Sequence, residues 1–208
     1  MIPSFIEERE LEKQGYRYIA GVDEVGRGAL AGPVVAAAII LPSRVLAPWF
    51  PLIRDSKELS SGRRQILYHY VHEVAIATGI GFIEPRVIDD QGIVKATRLA
   101  MKLAIGQLSP VPEALLIDYM CLPELRLPQK GVVNGDSLCF SIACASIIAK
   151  VVRDSMMIEL DRIYPDYGLA RHKGYGTREH LACLRQLGQS PVHRESFKPV
   201  RDVIYQRR

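Results

Sequence analysis

Hydrophobic and polar positions divide the chain into short apolar runs and longer stretches with helical spacing. Residues 18–25 and 34–41 are rich in β-formers and are separated by a glycine-rich turn. That pattern predicts two neighbouring antiparallel strands. The 34–41 run is apolar throughout, as in a strand buried on both faces, and is too short to cross a bilayer. Ser4 is placed to cap a short helix reaching about residue 14. An irregular, proline-containing stretch over 42–62 gives way to a helix capped by Ser60 or Ser61 and running to about residue 73. Residues 74–83 read as a strand, 85–108 as helical, and 114–119 as a short apolar strand ending on a carboxylate. A long helix over 141–163 carries small residues along one side, which permits close packing. Residues 172–177 form a glycine-punctuated loop, and a last helix over 179–187 ends at Gly188. Strands first and helices interleaved later predict an α/β protein with a mixed sheet. No internal repeat or low-complexity segment interrupts the pattern.

The 208 residues, 48% of them hydrophobic, suffice for one core with a small appendage. No stretch of about 18 residues is both apolar and uncharged, so no spanning helix is expected. Residues 1–14 carry four glutamates, unlike a secretory leader. Cys121, Cys139, Cys144 and Cys183 form no CxxC pair and no zinc spacing. They read as buried, reduced thiols of a cytoplasmic protein. The net charge of +4 is unevenly placed. Residues 171–208 hold nine Lys/Arg against three Asp/Glu, whereas the other 170 hold 18 against 20. A basic C-terminal fifth suits a polyanion such as nucleic acid, although a solubilising tail would have the same charge.

The candidate chemistry begins at Gly21-Val22-Asp23-Glu24-Val25-Gly26-Arg27-Gly28. Two adjacent carboxylates interrupt an apolar strand, where a buried charge is costly unless paired or metal-bound. Successive strand residues face opposite sides. Asp23 and Glu24 can therefore share one metal only if the chain bends or one of them offers its backbone carbonyl. Gly26 and Gly28 allow close backbone approach to a ligand, and Arg27 supplies a cationic fork for phosphate. Asp118 ends an apolar strand that would hold it rigidly. Asp136 precedes the long helix and, taken alone, reads as a turn or cap. Four carboxylates without His or Cys favour Mg²⁺ or Mn²⁺. Two such ions can activate water and stabilise the leaving oxygen of a phosphodiester.

Taken in order, these segments resemble the ribonuclease HII family. The resemblance continues through Asp55-Ser56-Lys57-Glu58-Leu59-Ser60, Leu116-Ile117-Asp118, Gly135-Asp136-Ser137, the helix from Ala145 to Asp154, His172-Lys173-Gly174-Tyr175-Gly176-Thr177 and Pro191 to Phe197. It implies a ribonuclease H-like mixed five-stranded sheet flanked by helices. It also implies a catalytic domain over 1–178 and a helical C-terminal extension over 179–208. Asp23, Glu24, Asp118 and Asp136 would form the metal-binding catalytic group. Gly26, Arg27 and Gly28 would read the ribonucleotide 2′-hydroxyl, the group that separates RNA from DNA. Tyr175 would pack on the sugar at the RNA–DNA junction. The implied activity is cleavage of RNA in RNA/DNA hybrids, and cutting 5′ of single ribonucleotides in duplex DNA, as in ribonucleotide excision repair. The products would carry 5′-phosphate and 3′-hydroxyl ends. The implied agent is a cytoplasmic monomer with no membrane partner.

Lys57, Ser146, Lys150, His172 and Lys173 are secondary substrate-contact candidates. Lys57 fits a phosphate contact or a solvated loop. Lys150 could instead pair with Asp154 four residues on. His172 and Lys173 fit a phosphate contact or a plain surface loop. His193 and Arg194 either join the basic surface or pin the C-terminal segment. Asn134 stands where the family often has lysine, which could trim one phosphate contact. Cys144 replaces the usual alanine. A non-catalytic nucleic-acid-binding module would leave the strand carboxylates unexplained. A resolvase or integrase would have no need of Gly-Arg-Gly or Tyr175. Ribonuclease HIII usually carries an extra N-terminal domain, for which the 17 residues before Tyr18 leave no room.

Overall fold

The computed structural model describes residues 2–43 and 47–207. Residues 44–46 of the proline-containing stretch, and Arg208 of the tail, lie outside the described residues. The strands are β1 (Ile19–Val25), β2 (Val34–Ile40), β3 (Ala77–Ile83), β4 (Ala114–Asp118) and β5 (Gln129–Val132). They form one sheet in the order β3-β2-β1-β4-β5. β1 is antiparallel to β2 and parallel to β4, so the sheet is mixed, as the pattern predicts.

β2 shows why its sequence is apolar without alternation. Val34, Ala36, Ala38 and Ile40 pack on one face with Ala100, Met101 and Ala104. Ala37 and Ile39 pack on the other with Leu67, Val71, Phe140 and Ile147. The first layer is α3 (Pro85–Gln91) and α4 (Ile93–Ile105); the second is α2 (Ser61–Val74) and α6 (Phe140–Ile163). Ser60 caps α2 by accepting from Arg63 N–H. The long stretch expected over 85–108 is two helices, broken at Gly92, whose φ of 80° ends one and begins the next.

Two expectations, for Ser4 and for the cysteines, are corrected. Ser4 does not cap α1 (Ile6–Lys13); the residue at the cap is Phe5, with no side-chain bond. Ser4 instead forms a bridge with Cys139, exchanging backbone hydrogen bonds with Leu138 and Phe140. A partner so distant in sequence outcompetes the local cap. β5 has no hydrophobic alternation and exists because β4 offers it an open edge. A C-terminal helix, α9 (Lys198–Gln206), occupies much of a tail that carries no motif. All four cysteines are free, but Cys121 is exposed and Cys183 half-buried, so only Cys139 and Cys144 are core thiols. Among the described residues, no helix is long and apolar enough to cross a membrane.

The edge strand β3 carries a packing device. A Cβ built at Gly79 would lie 2.1 Å from the Ala104 carbonyl oxygen, and one at Gly81 2.1 Å from that of Ala100. These glycines let α4 lie directly on the strand. Gly81→Ala is expected to cost roughly 2–3 kcal/mol of overpacking and to lower Tm by roughly 5–10 °C. Gly62→Ala, where the added methyl meets open space, should leave the thermal melt unlowered.

Candidate active site

The C-terminal ends of β1 and β4 place the acids. The parallel register pairs Val22 with Ile117; one residue further along each strand come Asp23 and Asp118. Carboxylate oxygens of Asp23, Glu24 and Asp118 lie within 4.8 Å of one another. No backbone carbonyl is needed for Glu24 to join. β4 ends at Asp118, leaving that side of Glu24 open, and the longer glutamate side chain reaches the cluster. Asp118 Oδ1 accepts the Gly135 N–H at 2.7 Å. A Cβ on Gly135 would crowd both Ile142 and this oxygen, which explains a glycine before Asp136.

The fourth acid stands slightly apart. Asp136, in α5 (Gly135–Leu138), is not among the three mutually close carboxylates. Its Oδ2 accepts from Lys57 Nζ at 3.2 Å. Lys57 is an ammonium at the rim, and an ion pair outweighs a fourth like charge at the centre. Asn134 adopts the left-handed backbone (φ 55°, ψ 41°) that opens α5, a conformation Asn tolerates better than lysine does.

Electrostatics marks this cluster as built for a cation. Burial, then the Glu24 and Asp118 charges, push the Asp23 carboxyl well above the usual range. Burial also raises Glu24, against the pull of Arg27, and raises Asp118, against the Gly135 N–H. Burial works to lower Lys57, but the Asp136 carboxylate outweighs it and holds the ammonium above its ordinary value. Glu24 Oε2 is buried with no hydrogen-bond partner. An orphaned carboxylate oxygen amid like charges is a ligand awaiting a divalent ion, and oxygen donors alone suit a hard one.

The cleft beside the acids is lined by Gly26, Arg27, Gly28, Ser56, Lys57, Ser146, Lys150 and Tyr175. Arg27 Nη1 donates to Glu24 Oε1 at 3.3 Å. The Ser146 hydroxyl shares a hydrogen bond with that of Ser56 at 2.9 Å and works against the upward push on the Asp23 carboxyl. Lys150 lines the cleft while pairing with Asp154 at 2.8 Å, so the intrahelical partner and the cleft position coexist. His172 and Lys173 lie elsewhere. His172 is buried, with Nε2 2.8 Å from the Tyr167 carbonyl and Nδ1 accepting from Gly174 N–H. Lys173 donates to Ala170 O. His172 therefore has no free nitrogen for phosphate.

The residues that sequence reasoning missed lie behind the cleft. Arg153 and Arg194 are fully buried. Arg153 donates to the carbonyls of Pro33, Ala31 and Lys173, and its guanidinium sits 5.4 Å from the Tyr175 ring centroid. Arg194 donates to the carbonyls of Gly32 and Arg27. Of the two readings open for His193 and Arg194, pinning the C-terminal segment is what occurs. At Gly26 (φ 89°), a Cβ would collide with Arg153 Nε. The only sequence signal for Arg153 was a lone arginine on the small-residue side of the long helix.

The profile of the family described as Ribonuclease HII matches residues 20–200. The chain belongs to the ribonuclease HII family. As a member it is a type 2 ribonuclease H, an endoribonuclease. It is 54% identical over 202 residues to "Ribonuclease HII" of Dehalococcoides mccartyi (strain BAV1), covering 97% of this chain and 95% of that one. The ribonuclease H2 of Pyrococcus horikoshii OT3 shares the fold, with a TM-score of 0.75, 22% identity, and coverage of 90% of this chain and 97% of that. Bst-RNase HIII in complex with Mn²⁺ does so with a TM-score of 0.69 and 20% identity over 92% of this chain and 71% of that.

Proposed function

We propose that this ribonuclease HII cleaves the RNA strand of RNA/DNA hybrids and cuts 5′ of single ribonucleotides in duplex DNA, leaving 5′-phosphate and 3′-hydroxyl ends. One observation carries the reading: three mutually close carboxylates open onto a cleft shared with Gly26, Arg27, Gly28 and Tyr175. Asp23, Glu24 and Asp118 would hold divalent metal, Mg²⁺ or Mn²⁺, with Asp136 as a fourth ligand once Lys57 yields to it. When bound, two such ions supply an activated water and a counter-charge for the leaving oxygen. Residues 1–178 would form the catalytic domain, and 179–208 an extension packed upon it.

The chain's own groups select the substrate. Gly28 has an ordinary backbone, and a Cβ there would meet nothing within 4 Å. Packing does not require this glycine, which supports close approach of a ribose 2′-hydroxyl to the backbone. Arg27, Lys57 and Lys150 face the cleft and would meet phosphates. Tyr175 would pack on the sugar that follows the ribonucleotide. Contacts from His172 and Lys173 would be indirect, through the loop they support. The protein would act as a cytoplasmic monomer in ribonucleotide excision repair.

The test is cleavage of a DNA duplex containing one ribonucleotide, with Mg²⁺ or Mn²⁺. Incision immediately 5′ of the ribonucleotide is expected. Binding without incision would favour a non-catalytic module, and cutting of all-DNA duplex a resolvase. Tyr175→Ala should reduce kcat/KM on the single-ribonucleotide duplex by about 10–100-fold, the scale of one lost stacking contact, and reduce it less on a long hybrid. Equal loss on both would remove the junction role.

A further inference from the structure

Neither the acids nor the glycine loop accounts for three imidazoles buried behind Tyr175. His180 and His193 are essentially inaccessible, and His172 nearly so. His180 lies on α8 (Arg178–Leu187), His172 on α7 (Leu169–His172), and His193 in the segment that pairs with the loop after Gly28. The rings of His172 and His180 stack at 4.3 Å with 15° between planes. Nε2 of His180 and Nε2 of His193 are 3.0 Å apart.

Hydrogen-bond partners dictate where each proton sits. The backbone N–H of Ser190 donates to His193 Nδ1 at 3.0 Å, so that nitrogen carries a lone pair and the Ser190 hydroxyl, 2.8 Å away, donates to it as well. The His193 proton is then on Nε2 and is donated to His180 Nε2. The His180 proton is consequently on Nδ1, 3.0 Å from the carbonyl oxygen of Tyr175. Between His193 Nε2 and His180 Nε2 there is one hydrogen and no room for a second.

We propose that His180 and His193 are positioning residues for Tyr175, forming a one-directional hydrogen-bond relay that ties the C-terminal segment to the carbonyl of the substrate-facing tyrosine. The proposal rests on the reading of Tyr175 as the sugar contact. The relay ends on the backbone of the residue whose ring faces the cleft. Tyr175 O also accepts from Thr177 N–H at 2.8 Å, and Tyr175 N donates to His172 O. The imidazoles thus select one loop conformation among those the short-range bonds allow. A proton added to His180 would set two N–H groups against each other at the Nε2 contact, and one added to His193 Nδ1 would face the Ser190 N–H and force the Ser190 hydroxyl to turn round and accept it. Burial, then the neighbouring His180, hold His193 down to about 4, and burial lowers His180 as well.

No carboxylate contacts the two rings to stabilise an added charge. The titratable groups on the packed elements are His172, stacked on His180, Tyr167, its ring 4.9 Å from that of His193, Arg178, Cys183 and Arg185 on α8, the Arg171–Glu179 pair linking α7 to α8, and the buried Arg153 and Arg194. With His193 held down to about 4, the relay stays intact in the folded protein at neutral and mildly acidic pH and fails as pH falls through about 4, while the folded state loses stability from the ordinary value, about 6.5, downward.

The test uses the full chain with Mn²⁺ and both substrates, the single-ribonucleotide duplex and a long hybrid. His193→Phe should lower kcat/KM on the single-ribonucleotide duplex about tenfold, the scale of one buried hydrogen bond, with a smaller effect on the hybrid. It should also speed hydrogen exchange of the 172–177 amides in the metal-free protein. His193→Gln, which retains a donor and an acceptor, should restore part of both. In a Tyr175→Ala background, His193→Phe should cost nothing further. If Tyr175→Ala itself leaves the substrate ratio unchanged, the reading of Tyr175 fails whatever the histidines do. If Tyr175→Ala shifts the ratio while folded His193→Phe does not, or if the two losses add in full, the relay is overturned. Should His193→Phe not fold, the wild-type substrate ratio decides. It is expected to hold between pH 7.5 and 5.5 and to shift as pH falls from there to about 4, and a ratio that stays constant down to pH 4 overturns the relay.

Discussion

Asp23→Asn is expected to abolish metal-dependent cleavage and, at the same time, to raise the melting temperature of the metal-free protein. The loss should be at least about a thousandfold in kcat, the scale of an electrostatic contact to a developing charge. The gain follows from the same burial. The Asp23 carboxyl is inaccessible, crowded by Glu24 and Asp118, and pushed well above its ordinary pKa. A carboxyl whose folded pKa exceeds its unfolded value, about 3.9, destabilises the fold at any pH above that value, because ionising it is harder in the folded chain. Asparagine keeps the shape and removes the charge. A gain of about 1 kcal/mol is the usual scale for relieving a functional site, or roughly 2–4 °C for a chain of this size. Melting curves with EDTA, and cleavage assays with Mn²⁺, check the two halves separately. Wild-type turnover would remove Asp23 from the chemistry. A lowered Tm would show that the carboxylate is satisfied without metal.

The largest loss of stability is expected from Arg153→Lys, nominally a conservative change. Arg153 spans three carbonyls on two segments, those of Ala31 and Pro33 in the loop after Gly28 and that of Lys173 beside Tyr175. Lysine delivers its donors from a single point and cannot bridge them, yet it keeps a charge in the interior. Burial already depresses the Arg153 pKa, and no ion pair to it occurs among the described residues. Losing the fork from a buried charge costs about 3–5 kcal/mol, or roughly 10 °C in Tm. Cleavage should fall as well, since the two loops that line the cleft beside the acids hang from this side chain. A melt within a degree or two of wild type would show that the loops hold themselves.

Much of this was legible in the chain. Runs of β-formers and unbroken apolar runs marked β1 to β4, and Ser60 and Gly188 marked helix ends. Asp23-Glu24 and Asp118 stood out because carboxylates rarely interrupt buried strands. β5 was not legible, because its residues have no intrinsic strand pattern and pair only because β4 leaves an edge. Ser4 misled because a cap and a bridge use the same backbone groups, and a distant partner won. His172 looked like a surface cation beside a basic loop; only packing shows both of its nitrogens occupied. Arg153 was illegible as a clamp, since its partners are carbonyls, which every residue has; for Arg194 the sequence left pinning and a surface role open.

Residue chemistry and local periodicity, both short-range properties, are set by the sequence alone. From them follow the elements, the hard-oxygen donor set and the glycine loop. The tertiary structure decided which acids meet, at which register, with Asp136 held aside by Lys57. It also decided the partners of the buried arginines and the proton order of the histidines. Those depend on contacts such as Arg153 to Pro33, 120 residues apart, and no local propensity encodes which of many equivalent backbone groups a side chain will find.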